Sequence, residues 1–261
     1  MATICGAVIA RDEEKNIERC LQSLKWADSM LVVMDDRTID ATASIAERCG
    51  AAVEVRTFRD YARQRNAALE AARSDWVLFV DADEVVTPEL ASEVRGVTAG
   101  GGVSAGYWIP RKNILFGRWV RHAGWSPDYQ LRLLRRDSAH YQEDRTVHEL
   151  VDQNGEAGYL NSVLVHYNYD TLRQFLVKQR VYASMTAADM HRRGIRVKPQ
   201  NYLLQPWRQF WRRYVLMQGY RDGWLGLLLS ALLAYYEFKA YLQLRVLWKS
   251  SLEASSSRIS P

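Results

Sequence analysis

The chain has 261 residues, 48% hydrophobic and 25% charged, with a formal net charge of +5. That balance excludes a disordered or low-complexity chain, and the length suits one large domain with an appendage. Its three cysteines, Cys5, Cys20 and Cys49, lack metal-ligand or redox spacing, which excludes a cysteine metal cluster and fits a reducing compartment.

The positive charge points to an anionic partner: nucleic acid, anionic lipid or a phosphorylated substrate. Nine Trp and fourteen Tyr are dense in the last third, as in segments that lie at membrane surfaces, and this favours lipid. Met1 to Ala10 lacks the basic start and long apolar run of a secretory signal, so the N-terminal domain is expected to stay in the cytoplasm.

In chain order, Ile4 to Ala10 reads as a buried strand. Asp12 then reads as the N-cap of a helix carrying Ile17, Cys20, Leu21 and Leu24 at helical spacing. Met30 to Met34 is a second strand, and Asp40 caps a helix whose inward face is Ile45, Ala46 and Cys49 and which Gly50 ends. Ala51 to Val55 is a third strand and Tyr61 to Arg73 a third helix. Trp76 to Val80 is a fourth strand that runs straight into Asp81-Ala82-Asp83-Glu84, and Thr87-Pro88 starts another helix. Alternation of this kind predicts a mostly parallel α/β sheet with ligands beyond the carboxyl ends of its strands, where Arg11, Asp35 and Asp81 fall.

Gly96 to Gly106 is a Gly-rich loop and an expected break in the sheet order. Tyr107–Ile109, Ile114–Val120, Gln130–Leu134 and Val163–Tyr167 read as shorter strands of an α+β half. From Leu172 the pattern is helical. Between Leu203 and Val215, Leu204, Trp207, Trp211 and Tyr214 or Val215 share one face, with Arg208, Arg212 and Arg213 off it, as in a helix lying in a membrane interface. Gly223 to Tyr236 is apolar up to Glu237, shorter than the roughly 20 residues a spanning helix needs, and reads as monotopic. Ser250 to Pro261 is expected to be a disordered tail.

Asp81 and Asp83 follow an apolar strand directly, and alternation puts both carboxylates on one side of its end. Such a pair suits Mg²⁺ or Mn²⁺ bridging a diphosphate, although an acidic triplet is also at home in a solvated turn. The context favours the metal. Gly6 stands alone and is followed by Arg11-Asp12-Glu13-Glu14 rather than a phosphate-cradling Gly-rich loop, so a diphosphate bound here needs a cation. Asp35 ends the second strand, where a carboxylate can accept hydrogen bonds from a base or ribose, and Arg65-Asn66 can face the same crevice. Arg11, Glu13, Asp35, Arg65 and Asp81 form the candidate nucleotide-binding set, and Asp83 with Asp81 the candidate metal pair.

Ile9-Ala10-Arg11-Asp12-Glu13-Glu14, Val32-Val33-Met34-Asp35, Asp40-Ala41-Thr42, Arg65-Asn66 and Asp81-Ala82-Asp83-Glu84 together resemble the ordered signature of family 2 glycosyltransferases. Pro110-Arg111-Lys112-Asn113, Gly124-Trp125-Ser126-Pro127-Asp128-Tyr129-Gln130-Leu131-Arg132-Leu133 and Val147-His148-Glu149 resemble the branch that includes lipopolysaccharide core glycosyltransferases. The resemblance covers Ile4 to Tyr169.

It implies a GT-A fold, a Rossmann-like nucleotide-diphospho-sugar transferase domain over residues 1–170, here followed by a helical membrane-associating extension over 171–249 and a tail over 250–261. It implies a nucleotide-sugar donor, probed first as UDP-sugar, with Asp35 at the nucleoside, Asp81 near ribose and metal, and Asp83 as direct ligand of Mg²⁺ or Mn²⁺. The base would be Glu149, with Glu143 and Asp144 as rivals. Trp125 and Asp128 would hold an acceptor sugar, itself part of an envelope glycolipid or core oligosaccharide. One carboxylate beyond the metal pair suffices for inversion by single displacement. The chain departs from the usual Asp-Ser-Gly-Ser-Thr-Asp at Asp35-Asp36-Arg37-Thr38-Ile39-Asp40, which leaves the donor base open.

Two other protein classes share some of these features. A nucleotidyltransferase also uses paired carboxylates but carries a basic Gly-rich loop after its first strand, which this chain lacks. A silent carbohydrate- or membrane-binding module would not need Asp81, Asp83 and Glu149 together. Nucleic acid is not expected as a partner, because the densest basic cluster lies beside apolar helices. The expected location is the inner face of the cell membrane, held peripherally.

Overall fold

The computed structural model describes residues 2–99, 104–143, 151–153 and 156–256. The chain divides into two compact units, the first Met1–Lys112 with Pro127–Tyr167 and the second Asn113–Ser126 with Asn168–Pro261.

In the first unit the strands and helices alternate as β1 (Ile4–Ala10), α1 (Ile17–Gln22), β2 (Ser29–Asp35), α2 (Thr42–Arg48), β3 (Ala52–Arg56), α3 (Tyr61–Ala71), β4 (Trp76–Asp81), β5 (Glu84–Val86) and α4 (Pro88–Ala99). Along the chain there follow β6 (Gly106–Leu115), whose last residues belong to the second unit, β7 (Arg118–Trp119), which lies in the second unit, β8 (Tyr129–Arg135), β9 (Ala139–Tyr141), β10 (Val151–Gln153), β11 (Ala157–Tyr159) and β12 (Leu164–Tyr169), whose last two residues belong to the second unit. The sheet order is β3-β2-β1-β4-β8-β6-β12-β5; β3 to β4 are parallel, whereas β8 runs antiparallel to both β4 and β6.

Side chains of β1, β2 and β4 alternate between two cores. Ile4, Val8, Val32, Leu78 and Val80 pack with Ile17, Leu21, Ala46 and Leu90 of α1, α2 and α4 on one face. Cys5, Ala7, Val33, Val77 and Phe79 pack with Ala62, Ala68 and Leu69 of α3 on the other. Burial on both faces is why these strands read as continuous apolar runs. Gly6 has a packing role: a Cβ there would sit 2.9 Å from Leu24 Cδ2, so a larger residue would force that buried leucine to shift.

Several local expectations change. Asp12 is not the cap of α1, which begins after Asn16; Asp12 has φ +52° and accepts the Ile39 N–H at 3.0 Å. The two short strands expected around Pro110-Arg111-Lys112-Asn113 are one strand, β6. Proline and three polar residues disguised its continuity, because Arg111 and Asn113 are satisfied by partners distant in sequence: Arg111 N–H donates to the Asp128 carbonyl at 2.8 Å, and Asn113 Nδ2 to the Trp125 carbonyl at 2.9 Å.

The second unit is built on α5 (Leu172–Arg192), α6 (Asn201–Trp211) and α7 (Gly223–Ser256). A capping box between Thr171 and Gln174 starts α5. Ala183, Ala187 and Met190 of α5 pack on Tyr236, Ala240, Tyr241 and Leu244 of α7. Gly226 of α7 lies so close to the Gly219 carbonyl that a Cβ would fall 1.8 Å from it, an approach that a side chain forbids. The helix expected over Leu203–Val215 ends at Trp211 and continues as a wider turn through Leu216. α7 runs on to Ser256, past the Ser250 where the sequence suggested a disordered tail. Gly219–Ser251 is long and apolar enough to cross a membrane by length and composition, with 44% of its most apolar window buried inside the protein.

Candidate active site

Parallel register brings the carboxyl ends of β2, β1 and β4 side by side. Ala10 lies opposite Met34 and Ile9 opposite Asp81, so Asp35 and Asp81 flank β1 at roughly 10 Å, two strand spacings. The loops after β1 and β2 are tied together without a glycine-rich turn. Thr42 Oγ1 accepts the Glu13 N–H at 2.8 Å, Asp40 Oδ2 accepts the Glu14 N–H at 3.0 Å, and Asn16 Nδ2 donates to Glu13 Oε2 at 2.8 Å. In this structure Glu13 therefore braces the loop.

Asp35 is almost fully buried. Its two oxygens accept from Arg37 Nε at 3.0 Å and Nη2 at 2.7 Å, with Arg11 Nη1 3.5 Å from Oδ2. The hydrogen bonds from Arg37 hold its carboxyl far below the ordinary range. Asp81 is gripped by Arg132, which donates through Nη1 to Oδ1 at 3.0 Å and through Nη2 to Oδ2, while Arg65 Nη2 lies 3.6 Å from Oδ1. Burial opposes ionisation of Asp81, but Arg132 and Arg65 outweigh it and keep the carboxyl well below its usual range. Arg65 itself lies over the Phe79 and Tyr141 rings. Asn66 points elsewhere, exchanging hydrogen bonds of 2.9 and 2.8 Å with the Tyr141 backbone.

The carboxylate chain extends inward. Glu84 is wholly buried, accepts the Asp81 N–H at 2.8 Å, and faces Arg111 at 3.3 Å and Arg132 at 3.4 Å. Burial pushes its carboxyl up, with Arg132 pulling the other way. Arg111 Nε continues to Asp128 Oδ2 at 2.9 Å, and Gln130 Nε2 reaches Asp128 Oδ1 at 2.8 Å. Asp128, a candidate acceptor residue, is thereby the outer end of the chain Asp128–Arg111–Glu84–Arg132–Asp81. Trp125, the other acceptor candidate, belongs to the second unit, where it packs edge-on to Tyr169 at 6.5 Å between centroids.

Asp83 stands beside this chain. Its Oδ2 lies 3.4 Å from His166 Nε2, because β12 pairs with β5 and sets His166 opposite Glu84. A carboxylate and an imidazole at that spacing could each give one ligand to a divalent cation. Among the described residues no cluster of three His, Cys, Asp or Glu side chains forms a self-sufficient metal site. Glu149, proposed as base from sequence, and the rival Asp144 lie outside the described residues. Glu143, the other rival, accepts from Arg63 Nε at 3.0 Å, which lowers its pKa and weakens it as a base. Sequence reasoning missed Arg132, Glu84, Arg111 as a linker, Arg37 and His166. Arg132 carried a signal, a lone charge inside the apolar run Leu131-Arg132-Leu133-Leu134.

A sequence profile of family 2 glycosyl transferases matches residues 7–164. The chain belongs to glycosyl transferase family 2. Among relatives of this glycosyltransferase, a lipopolysaccharide core biosynthesis glycosyltransferase, LpsC of Rhizobium meliloti, is 25% identical over 237 residues, 88% of this chain and 87% of that protein. An uncharacterized glycosyltransferase of Rickettsia typhi is 26% identical over 259 residues, 95% of this chain and 88% of that protein. The mannosyltransferase PcManGT of Pyrobaculum calidifontis, solved in complex with GDP-Man and Mn²⁺, superposes with a TM-score of 0.54 at 14% identity, covering 95% of this chain and 88% of that one. The fold is thus GT-A, the fold of transferases that use nucleotide-sugar donors.

Proposed function

We propose that this glycosyltransferase moves a sugar with inversion from a nucleoside-diphosphate donor, UDP-sugar first among those to test, to an envelope glycolipid or lipopolysaccharide-core oligosaccharide. The observation that carries the proposal is the juxtaposition of Asp35, Asp81 and Asp83 at the carboxyl ends of β2 and β4, beside a β1 that is followed by Arg11-Asp12-Glu13-Glu14 rather than a glycine-rich turn. The kinship with LpsC supports the acceptor class.

In this reading Asp35 and Arg11 receive the nucleoside, and Asp83 with His166 would hold Mg²⁺ or Mn²⁺. When bound, the cation supplies positive charge against the departing diphosphate. Arg132 and Arg65 keep Asp81 ionised and aimed into the crevice. Glu149 accepts the proton of the acceptor hydroxyl as its oxygen attacks the anomeric carbon, the bond from that carbon to the phosphate oxygen breaks, and the nucleoside diphosphate leaves. Asp128 and Trp125 are assigned to the acceptor. Residues 1–170 form the catalytic domain, and the helices of 171–249 hold it peripherally on the inner face of the membrane, the basic amphipathic stretch of α6 supporting that placement.

Calorimetric titration with UDP, GDP and dTDP, each with Mn²⁺ and again with chelator, tests the donor half. One diphosphate should bind only with metal, and Asp83→Ala should abolish that binding and turnover while leaving the melting curve in place. Full activity in Asp83→Ala would sink the metal assignment.

A further inference from the structure

Two adjoining hollows mark the second unit, and the Trp207 ring walls both. The first, of ≈ 680 Å³, runs between α6 and α7 and is lined by Tyr202, Leu204, Trp207, Phe210, Tyr235 and Phe238 among other apolar residues. Its walls stand open to solvent, with Leu203 78% and Trp207 59% exposed. The second, of ≈ 570 Å³, is lined by Arg208, Arg212 and Glu237 with two glutamines. Both volumes fall in the range of about 300–1,000 Å³ typical of small-molecule sites.

A membrane surface covers the outside of an amphipathic helix, but a groove between two helices is filled only when a single chain enters it. The charged hollow says what that chain carries. Arg208 and Arg212 are one helical turn apart on the same side and suit a phosphate held by two guanidinium forks. The acidic group facing them, Glu237, is one against two, and burial raises its pKa, with Arg212 and Arg213 opposing.

We propose that the second unit binds one membrane lipid bearing a phosphate, its acyl chain in the α6–α7 groove beside Trp207 and its phosphate between Arg208 and Arg212. This deepens the membrane contact proposed above, from adhesion to a surface to a site of defined stoichiometry. A site of this kind seats the full chain at a fixed place on the bilayer.

The test uses calorimetry on the intact protein with dihexanoyl and dioctanoyl phosphatidic acid, both below their micellar concentrations, and with dihexanoylglycerol as the uncharged probe. Binding should be one to one and tighten roughly fourfold for each methylene buried from one chain. Arg208→Gln with Arg212→Gln should cost phosphatidic acid at least about tenfold in affinity and leave dihexanoylglycerol unaffected, since charge-assisted pairs are lost. Ala231→Trp, at an exposed position lining the groove, should abolish the gain with chain length. Thermal melts of both variants check that they fold. If monomeric lipids fail to bind while anionic vesicles still do, the lipid site is wrong and the peripheral membrane reading stands. If vesicles also fail, both are wrong. Equal affinity for the charged and uncharged probes overturns the arginine assignment and the site with it.

Discussion

Replacing Arg132 with methionine keeps most of the side-chain volume but removes the guanidinium that grips Asp81 and faces Glu84. Arg132 is 3% exposed and Glu84 0%, so the loss strands a buried carboxylate whose remaining cationic partner is Arg111 at 3.3 Å. Breaking a buried pair from one side costs about 3–5 kcal/mol. The Asp81 side chain is 37% exposed and regains water, so the cost comes mainly from Glu84 and belongs near the lower end, about 3 kcal/mol. For a chain of this size that lowers the melting temperature by roughly 6–12 °C.

The loss should also depend on pH. Burial already raises the Glu84 carboxyl, and without Arg132 it rises further above its unfolded value of about 4.3, so its contribution is fully present below that value and is lost as pH rises through the folded one. The gap between wild type and variant should therefore be widest near pH 8 and narrow toward pH 5. Circular-dichroism melts across that range measure it. A gap under about 2 °C, or one that is the same at both ends, would refute the reading of this network as a buried, charge-compensated chain.

Gly226→Ala gains helix propensity but drives a Cβ onto the Gly219 carbonyl, so urea unfolding should show a net loss of about 1–3 kcal/mol; a gain in stability would mean that α7 does not approach Gly219 as closely as 1.8 Å requires. Arg37→Ala frees Asp35 from its ion pair and should tighten nucleoside diphosphate binding, read by calorimetric titration. Weaker binding would show that Arg37 itself touches the nucleotide. Asp35, held down by Arg37, Asp75, held down by hydrogen bonds from Thr3, and Asp81 all have lowered folded pKa values. Their stabilisation is present above the unfolded value of about 3.9 and is lost as pH falls below it, so the melting temperature should drop between about pH 4 and pH 3. A flat profile there would contradict those pairings.

Much of the first unit was legible from its residues because local and tertiary demands agree. Strands buried on both faces must be continuously apolar, so β1, β2 and β4 stood out, and a carboxylate ending such a run has only the crevice to occupy. Asp35, Asp81 and Asp83 were singled out in that way. Asp12 failed as a cap because its partner, the Ile39 amide, comes from another loop.

What the sequence alone determined is the alternation of strand and helix, the carboxylates at the strand ends and the basic, aromatic character of α6, since each depends on periodicity or on neighbours within a few positions. Tertiary structure decided the rest. The strand pairing of β5 with β12 brings His166 to Asp83, and antiparallel insertion of β8 beside β4 delivers Arg132 to Asp81. Seating Asn113–Ser126 with the helices assigns Trp125 to the second unit. Those pairings join segments far apart in the chain, and electrostatic complementarity between single charged side chains leaves no period in the sequence to mark them.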